Sequence, residues 1–256
     1  MVHFVGAGPG APDLITLRGA ELLKKADVVI YAGSLVNPAL LELCRAGAEI
    51  FNSARMTLEE VLAVMLRAES EGKTTVRLHT GDPSLYGAIR EQMDALERSG
   101  IRFEVTPGVS SFCAAAAALE AEYTLPDVSQ SLIISRMAGR TPVPEGERIA
   151  SLAAHGCSMA LFLSAGMLDK LQEELLRGAY TDDTPAALVY KASWPDERIV
   201  RCTVGTLAAA GAAQDIRKTA LVLVGDFLEK EYGRSRLYDP AFSTEFRRGT
   251  GDKSEG

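Results

Sequence analysis

The 256-residue chain has 34 acidic and 27 basic side chains, a formal net charge of −7 and a hydrophobic fraction of 47%. These proportions are typical of a folded protein, and the length allows one large domain or two small ones. The acidic balance argues against a general nucleic-acid binder, although a local basic pocket for an anionic small molecule is compatible with it.

No apolar run approaches the roughly 18 residues that a membrane span requires, so no membrane association is expected. The N-terminus lacks the basic and apolar regions of a signal peptide, which favours a cytoplasmic location. The four cysteines and three histidines show no metal-ligand spacing, so no metal site is expected.

Strand-like and helix-like segments alternate through the first 110 residues. The predicted strands are residues 2–5, 27–31, 49–51, 74–79 and 102–106. The predicted helices are residues 14–25 capped by Thr16, 38–44, 58–70 with a Thr57/Glu60 capping box, and 85–98. This order predicts an α/β domain with a mostly parallel five-stranded sheet and helices on both faces.

The second half of the chain predicts a second α/β domain with a mixed sheet. An Ala-rich helix over residues 110–122 precedes strands at 132–135, 159–163, 187–190, 199–203 and 220–224. The strands that flank Trp194-Pro195-Asp196-Glu197 read as a hairpin. We therefore expect domains at residues 1–120 and 121–232, followed by a disordered tail at 233–256.

A glycine-rich loop follows the first strand. Residues 6–11 (Gly-Ala-Gly-Pro-Gly-Ala) satisfy a dinucleotide fingerprint, but Pro12 removes an N–H where a phosphate-binding helix should begin. The acidic residue expected at the end of the second strand is also missing, because Tyr31-Ala32-Gly33 stands there. Two other interpretations of this loop stay open. It is either a tight strand-to-helix turn that binds no ligand or the base of a pocket for a ligand that carries no phosphate.

A second loop carries more specific information. Residues 81–83 (Gly-Asp-Pro) follow a strand at the carboxyl edge of the predicted sheet, where such folds bind ligands. Together with residues 6–10, 13–16 (Asp-Leu-Ile-Thr) and 106–111 (Thr-Pro-Gly-Val-Ser-Ser), this pattern resembles the tetrapyrrole (uroporphyrinogen/precorrin) methyltransferase family. The resemblance covers roughly residues 1–230.

Within that family the chain is similar to the branch that methylates precorrin-4 at C11, including the cobalt-containing form. Residues 31–36, 79–89, 139–145 and 189–197 carry this resemblance. The uroporphyrinogen-III branch has an acidic residue after the tyrosine of the second strand, where Ala32 stands here. It also has a lysine near the end of the third strand, where this chain has Ser53-Ala54-Arg55.

The resemblance implies S-adenosylmethionine as methyl donor, released as S-adenosylhomocysteine, and a cofactor cleft between the two domains. It implies a cofactor site formed by Pro9, Gly81, Asp82, Leu85, Ser110, Ser111, Leu163, Tyr190 and Ala220. Read without the resemblance, Asp82 is a helix-capping carboxylate, and Leu163, Tyr190 and Ala220 are ordinary packing residues. The resemblance also implies a homodimer.

The implied substrate is a tetrapyrrole with several carboxylates, which an acidic protein must meet with local cations. Candidates beside the relevant loops are Arg55, Arg136, Arg140, Lys191 and Arg198, and the alternative for each is a solvated surface charge. Trp194 either covers the macrocycle or packs at a subunit interface. Ser164 and Ser193 read as polar surface or turn residues, and no catalytic residue is assigned.

The implied reaction converts precorrin-4 to precorrin-5 in cobalamin synthesis. The carbon nucleophile attacks an activated methyl group, so in-line positioning supplies much of the catalysis without a metal or covalent intermediate. Methylation of another precorrin ring carbon is one alternative. A non-catalytic tetrapyrrole or adenosylmethionine binding protein and a nucleotide-dependent oxidoreductase are the other two.

Overall fold

The computed structural model describes residues 1–229 and 231–250. The chain divides into two compact units. The first comprises Met1–Ala118 and Val189–Ile199, and the second comprises Leu119–Leu188 and Val200–Gly256. The segment 189–199 therefore joins the first unit, although it lies within the range 121–232 expected for the second domain.

The first unit contains a parallel five-stranded sheet, as predicted. Its strands are β1 (Val2–Gly6), β2 (Val28–Tyr31), β3 (Glu49–Asn52), β4 (Thr75–His79) and β5 (Phe103–Thr106). They are ordered β3-β2-β4-β1-β5, and every adjacent pair is parallel. The carboxyl ends of all five strands consequently meet at one edge of the sheet.

Helices cover both faces of this sheet, which confirms the predicted layering. They are α1 (Leu17–Lys25), α2 (Leu58–Ser70) and α3 (Arg90–Arg98), and a fourth helix, α4 (Ser111–Leu119), follows the last strand. Leu23 of α1 packs against one face of the sheet, and Met65 of α2 and Leu96 of α3 pack against the other. Thr16 caps α1, and the predicted Thr57/Glu60 capping box starts α2.

Two helix predictions were wrong in detail. Helix α3 begins at Arg90 rather than at residue 85, because Tyr86 and Ala88 have φ angles of 56° and 49°, which no right-handed helix accommodates. The segment Pro38–Leu43 forms a 3-10 helix in place of the expected helix at 38–44.

The second unit is built around the predicted mixed sheet. Its strands are β6 (Leu132–Arg136), β7 (Ser158–Phe162), β8 (Pro185–Tyr190), β9 (Arg198–Thr203) and β10 (Ala220–Val224), and its helices are α5 (Ile149–Ala153), α6 (Leu168–Leu176) and α7 (Leu207–Ala213). The order is β6-β7-β10-β8-β9, with β6 and β7 parallel and β7 and β10 antiparallel. Strands β8 and β9 are neighbours, as the predicted hairpin requires.

The expected disordered tail at 233–256 falls partly outside the described residues, which end at 250. Residues 231–250 are irregular apart from a few turns and one 3-10 helix, Arg236–Tyr238. Within residues 1–229 and 231–250, no helix combines the length and the apolar character needed to cross a membrane.

Three loops leave the carboxyl edge of the first sheet. They are loop 1 (residues 7–16, after β1), loop 2 (residues 80–89, after β4) and loop 3 (residues 107–110, after β5). The Gly81 N–H donates to the Gly8 carbonyl at 2.8 Å, and the Gly8 N–H donates to the Gly81 carbonyl at 3.3 Å. Loops 1 and 2 are therefore joined through their backbones.

Glycine is required where these loops meet. A Cβ at Gly108 would lie 2.2 Å from the Gly81 carbonyl oxygen and 2.7 Å from the Gly6 Cα. A Cβ at Gly6 would lie 2.5 Å from the Gly108 Cα. Since the obstructing atoms all belong to the backbone, no side chain can rotate away to make room.

Two buried ionisable side chains lie on β4, beneath loop 2. The Arg77 guanidinium donates to Gln92 Oε1 and to the Ile30 carbonyl, each at 3.1 Å, and burial lowers its pKa to about 10, so it stays charged at neutral pH. The His79 ring stacks on Phe4 with centroids 6.2 Å apart. Burial, and then the charge of Arg77, lower the pKa of His79 to about 3.

We expect Gly108→Ala to lower the free energy of unfolding by more than about 2 kcal/mol, because the methyl group must displace backbone of loop 2 and of the end of β1. Thermal and denaturant unfolding measure this loss. Gly146→Ala is the control, since a Cβ there meets nothing within 4 Å. Equal stability of the two variants would contradict the close approach of the three loops.

We expect His79 to make the folded state less stable as the pH falls from 6.5 towards 3. The folded pKa is the lower one, so the unfolded chain binds more protons in this window and unfolding is favoured by up to about 1.4 kcal/mol per pH unit. His79→Leu should flatten the dependence of Tm on pH, whereas His155→Leu at an exposed histidine should not. An unaltered slope in His79→Leu would count against a neutral buried imidazole.

Candidate functional site

Asp82 connects loop 2 to loop 3. One carboxylate oxygen accepts the Gly108 N–H at 2.8 Å, and the other accepts the Ser84 N–H at 2.8 Å and the Ser84 hydroxyl. Burial acts to raise the pKa of Asp82, but the hydrogen bonds from Ser84 and Gly108 outweigh it and hold the pKa below its ordinary value. The carboxylate is ionised at neutral pH. It caps no helix, because α3 begins only at Arg90.

Four of the predicted cofactor residues lie together at this point. An ideal Cβ on Gly81 would lie 3.6 Å from both the Ser110 Cα and the Ser111 nitrogen, which start α4. Leu85 lies in the turn of loop 2, and its N–H donates to the Asp82 carbonyl at 3.2 Å. Loops 2 and 3 thus bring Gly81, Asp82, Ser110 and Ser111 together, with Leu85 one turn away.

Loop 1 does not present the donors of a dinucleotide site. The Ala7 N–H is already bonded to the His79 carbonyl at 2.7 Å, and the Gly8 N–H is bonded to the Gly81 carbonyl. Helix α1 begins only at Leu17, and the Thr16 hydroxyl accepts the Gly19 N–H at its first turn. The Ala7 and Gly8 N–H groups are therefore engaged and the N-terminus of α1 lies beyond the loop, which argues against the oxidoreductase alternative.

Pro9 is buried and lies against a segment that is remote in the chain. The Trp194 indole N–H donates to the Pro9 carbonyl at 3.0 Å, and the Ser193 hydroxyl accepts the Ala11 N–H at 3.0 Å. Neither alternative considered for Trp194 anticipated this contact. Because Trp194 and Pro9 are 185 residues apart in the sequence, no local pattern predicts their contact.

The segment that carries Trp194 also holds three other predicted residues. The Lys191 ammonium lies 5.4 Å from the Tyr190 ring centroid and 2.6 Å from an Asp196 carboxylate oxygen, and the Arg198 guanidinium lies 4.5 Å from the Tyr190 ring centroid. Tyr190 therefore contacts two cations, which its electron-rich ring attracts.

The predicted residues of the second unit lie at one end of its sheet. Leu163, which follows β7, is 65% exposed and has a φ of 53°, a strained conformation for a branched side chain. Ala220 starts β10, and because Val222 pairs with Leu161 in antiparallel register, Ala220 lies at the same end as Leu163.

Ser164 joins two loops at this end of the second sheet. It is fully buried rather than at the surface, its hydroxyl donates to the Phe162 carbonyl at 2.7 Å, and it accepts the Met137 N–H at 3.0 Å. Of the two alternatives, a surface or a turn residue, the structure supports the turn, and only the surface interpretation is wrong, because a small hydroxyl that closes a turn looks identical in sequence to an exposed one.

The remaining predicted cations occupy different environments. Arg136 donates to the carbonyls of Met137, Thr141 and Pro142, so it organises the loop that contains the exposed Arg140. Arg55 is exposed in a 3-10 turn after the edge strand β3, away from the loops on β1, β4 and β5.

No group of three or more His, Cys, Asp or Glu side chains suited to a metal ion occurs in the parts of the chain that the structure describes.

The geometry can be compared with known proteins. The chain is 54% identical to the cobalt-precorrin-4 C(11)-methyltransferase of Methanocaldococcus jannaschii, over 96% of both chains. It is 48% identical to the precorrin-4 C(11)-methyltransferase of a Sinorhizobium species, over 96% of this chain and 98% of that protein.

Two solved structures are also similar. The X-ray structure of the cobalt precorrin-4 methyltransferase CbiF matches with a TM-score of 0.87 and 51% identity, covering 89% of this chain and 95% of that one. A uroporphyrin-III C-methyltransferase from Thermus thermophilus, complexed with S-adenosyl homocysteine, matches with a TM-score of 0.74 and 28% identity, covering 89% and 93%. Residues 1–208 match the family described as Tetrapyrrole (Corrin/Porphyrin) Methylases, and the chain belongs to this family.

Proposed function

We propose that the chain methylates a precorrin-4 macrocycle at C11 in cobalamin synthesis, with S-adenosylmethionine as methyl donor. The observation that carries the proposal is the identity of 54% with a cobalt-precorrin-4 C11-methyltransferase over nearly the whole of both chains. The relative named for precorrin-4 is nearly as similar, at 48%, so both the metal-free and the cobalt-containing macrocycle are substrates to test.

The residues predicted to bind the cofactor in the first unit suit a sulfonium ligand. The predicted residues there offer one ionised carboxylate, Asp82, two hydroxyls, Ser110 and Ser111, and the small or apolar residues Pro9, Gly81 and Leu85. A positively charged sulfonium needs a negative partner and apolar surroundings, whereas a dinucleotide needs phosphate donors. The strained, exposed Leu163 and the neighbouring Ala220 supply apolar surface in the second unit.

The chemistry requires little acid–base machinery. When bound, S-adenosylmethionine supplies a methyl group that is already activated by its positive sulfur. Substrate C11 would form its bond to the methyl carbon as the sulfur–methyl bond broke, so that the donor would leave as the neutral thioether and the macrocycle would take up the positive charge and then release one proton to water. The contribution of the protein is then alignment, which the backbone-to-backbone packing of loops 1 to 3 favours.

The substrate carboxylates call for cations, and the structure separates the five candidates by environment. Arg140 is exposed on a loop that Arg136 holds in place, which makes Arg140 the stronger candidate of the two. Lys191 and Arg198 both lie against the Tyr190 ring, and a carboxylate from the macrocycle would compete with Asp196 for Lys191.

The family resemblance further supports a cytoplasmic homodimer. Light scattering coupled to size-exclusion chromatography measures the assembly directly, and a mass of one chain would exclude the dimer.

We expect Asp82→Asn to weaken S-adenosylmethionine binding by about tenfold or more, because the amide carries no charge, and to weaken binding of the neutral thioether S-adenosylhomocysteine less. Calorimetry measures both affinities, and Tm should also fall, because the amide NH2 must face either the Gly108 N–H or the Ser84 donors. Asp82→Ala should lose both affinity and stability. Asp169→Asn, at an exposed carboxylate of α6, is the matched control.

Unchanged affinity in Asp82→Asn, combined with a lower Tm in Asp82→Ala, would make Asp82 a purely structural residue.

We expect incubation with precorrin-4 and S-adenosylmethionine to add one methyl group, a mass increase of about 14 Da, at C11. Mass spectrometry detects the step and NMR of the product locates it. Methylation at any other carbon would contradict the proposal, and donor binding without transfer would leave a binding protein instead. Parallel kinetics with cobalt-precorrin-4 identify the preferred macrocycle.

A further inference from the structure

We propose that Trp194, together with Ser193, is a positioning residue that holds loop 1 in the conformation that binds the methyl donor. The inference rests on the proposed function, because loop 1 carries the predicted cofactor residue Pro9. The Trp194 indole N–H donates to the Pro9 carbonyl, and the Ser193 hydroxyl accepts the Ala11 N–H. These two hydrogen bonds hold the backbone on both sides of Gly10.

Gly10 itself accommodates the indole ring. An ideal Cβ at this position would lie 2.0 Å from Trp194 Cδ1 and 2.2 Å from Trp194 Nε1. Gly10 is absent from the residues with positive φ, so its backbone conformation does not demand glycine. The ring of Trp194 is therefore the reason that no side chain fits here. The Gly10 carbonyl additionally accepts the Asn37 amide N–H at 2.8 Å, so the loop is held from two directions.

The turn that carries Trp194 is itself fixed. The Trp194 N–H donates to the Lys191 carbonyl at 2.9 Å, and the Ser193 N–H donates to the Glu197 carboxylate at 2.6 Å. The Lys191 ammonium lies 5.2 Å from the Trp194 ring centroid. Lys191 and Ser193 have φ angles of 49° and 67°, and such conformations persist where surrounding contacts determine them.

This arrangement has a direct consequence for binding. If loop 1 binds the donor only in its docked conformation, the apparent dissociation constant rises in inverse proportion to the docked fraction. Trp194 touches no reacting atom in this scheme and acts only through loop 1. Its loss should then raise the dissociation constant for S-adenosylhomocysteine while leaving the fold intact.

The first experiment compares Trp194→Phe with Tyr180→Phe. Each substitution removes one ring donor from a backbone carbonyl, since the Tyr180 hydroxyl donates to the Cys157 carbonyl in the second unit. We expect similar losses of Tm, but an S-adenosylhomocysteine affinity about three- to tenfold weaker only in Trp194→Phe, in line with one lost hydrogen bond. Equal affinities in both variants would overturn the proposal.

If Trp194→Phe fails to fold, Ser193→Ala takes its place, with a weaker affinity expected and an unchanged one again overturning the proposal.

The second experiment is a double-mutant cycle between Gly10→Ala and Trp194→Ala. The new methyl group should expel the indole and weaken binding in the wild-type background. In the Trp194→Ala background it enters vacated space, so the double variant should bind within about twofold of Trp194→Ala alone. Additive losses would mean that the methyl group acts on the ligand directly, which would overturn the proposal.

Fluorescence verifies the contact independently of activity. Trp194 is the single tryptophan of the sequence, so the emission spectrum reports on this residue alone. Gly10→Ala should shift the emission to longer wavelength and increase quenching by acrylamide, and an unchanged spectrum would contradict the contact. Failure of the wild-type protein to bind S-adenosylhomocysteine would overturn the proposed function. The wild-type measurement comes first, so this outcome is distinguished from a failure of the positioning role of Trp194.

Discussion

The packing of Gly6, Gly81 and Gly108 is the constraint on which the other features of the first unit depend. Three strands that are adjacent in the sheet, β4, β1 and β5, end in loops whose backbones touch with no side chain between them. Two hydrogen bonds between Gly8 and Gly81 and the carboxylate of Asp82 on the Gly108 N–H connect the same loops. Loops held in this way can present side chains with the precision that alignment of two reactants requires.

The charged groups around these loops are already oriented. Asp82 accepts three hydrogen bonds, and Lys191 pairs with Asp196 and faces two rings. Beneath them, Arg77 stays ionised with neutral partners while His79 stays neutral. Dipoles and charges that are fixed before a ligand arrives need not be reorganised during the reaction.

Local sequence signals predicted the features that have local causes. Alternation of strands and helices indicated the parallel sheet, and Thr57 with Glu60 indicated a capping box that the structure contains. The start of α3 could not be predicted, because Tyr86 and Ala88 adopt left-handed conformations that their residue types disfavour. The burial of Ser164 depends on the approach of Met137, a long-range contact that leaves no pattern along the chain.

In the candidate site, too, the sequence predicted the features that have local causes and missed those that depend on long-range contacts. The motifs located Gly81, Asp82, Ser110 and Ser111 in loops that meet in space, because the carboxyl ends of parallel strands share an edge. The hydrogen-bond partners of Asp82 and the contact of Trp194 with loop 1 could not be predicted from the sequence, because each depends on which backbone groups remain unpaired after folding.

Because residues 189–199 belong to the first unit, that unit cannot be completed until this late segment has been synthesised. The ribosome releases the first 118 residues well before this segment, and domains generally begin to fold as they emerge. The nascent sheet can therefore form while loop 1 still lacks the indole that fills the space beside Gly10. A chain truncated before residue 189 would keep all five strands of the first sheet but leave the Pro9 carbonyl without its indole partner. Loop 1 therefore reaches its final set of contacts only after most of the chain has been synthesised.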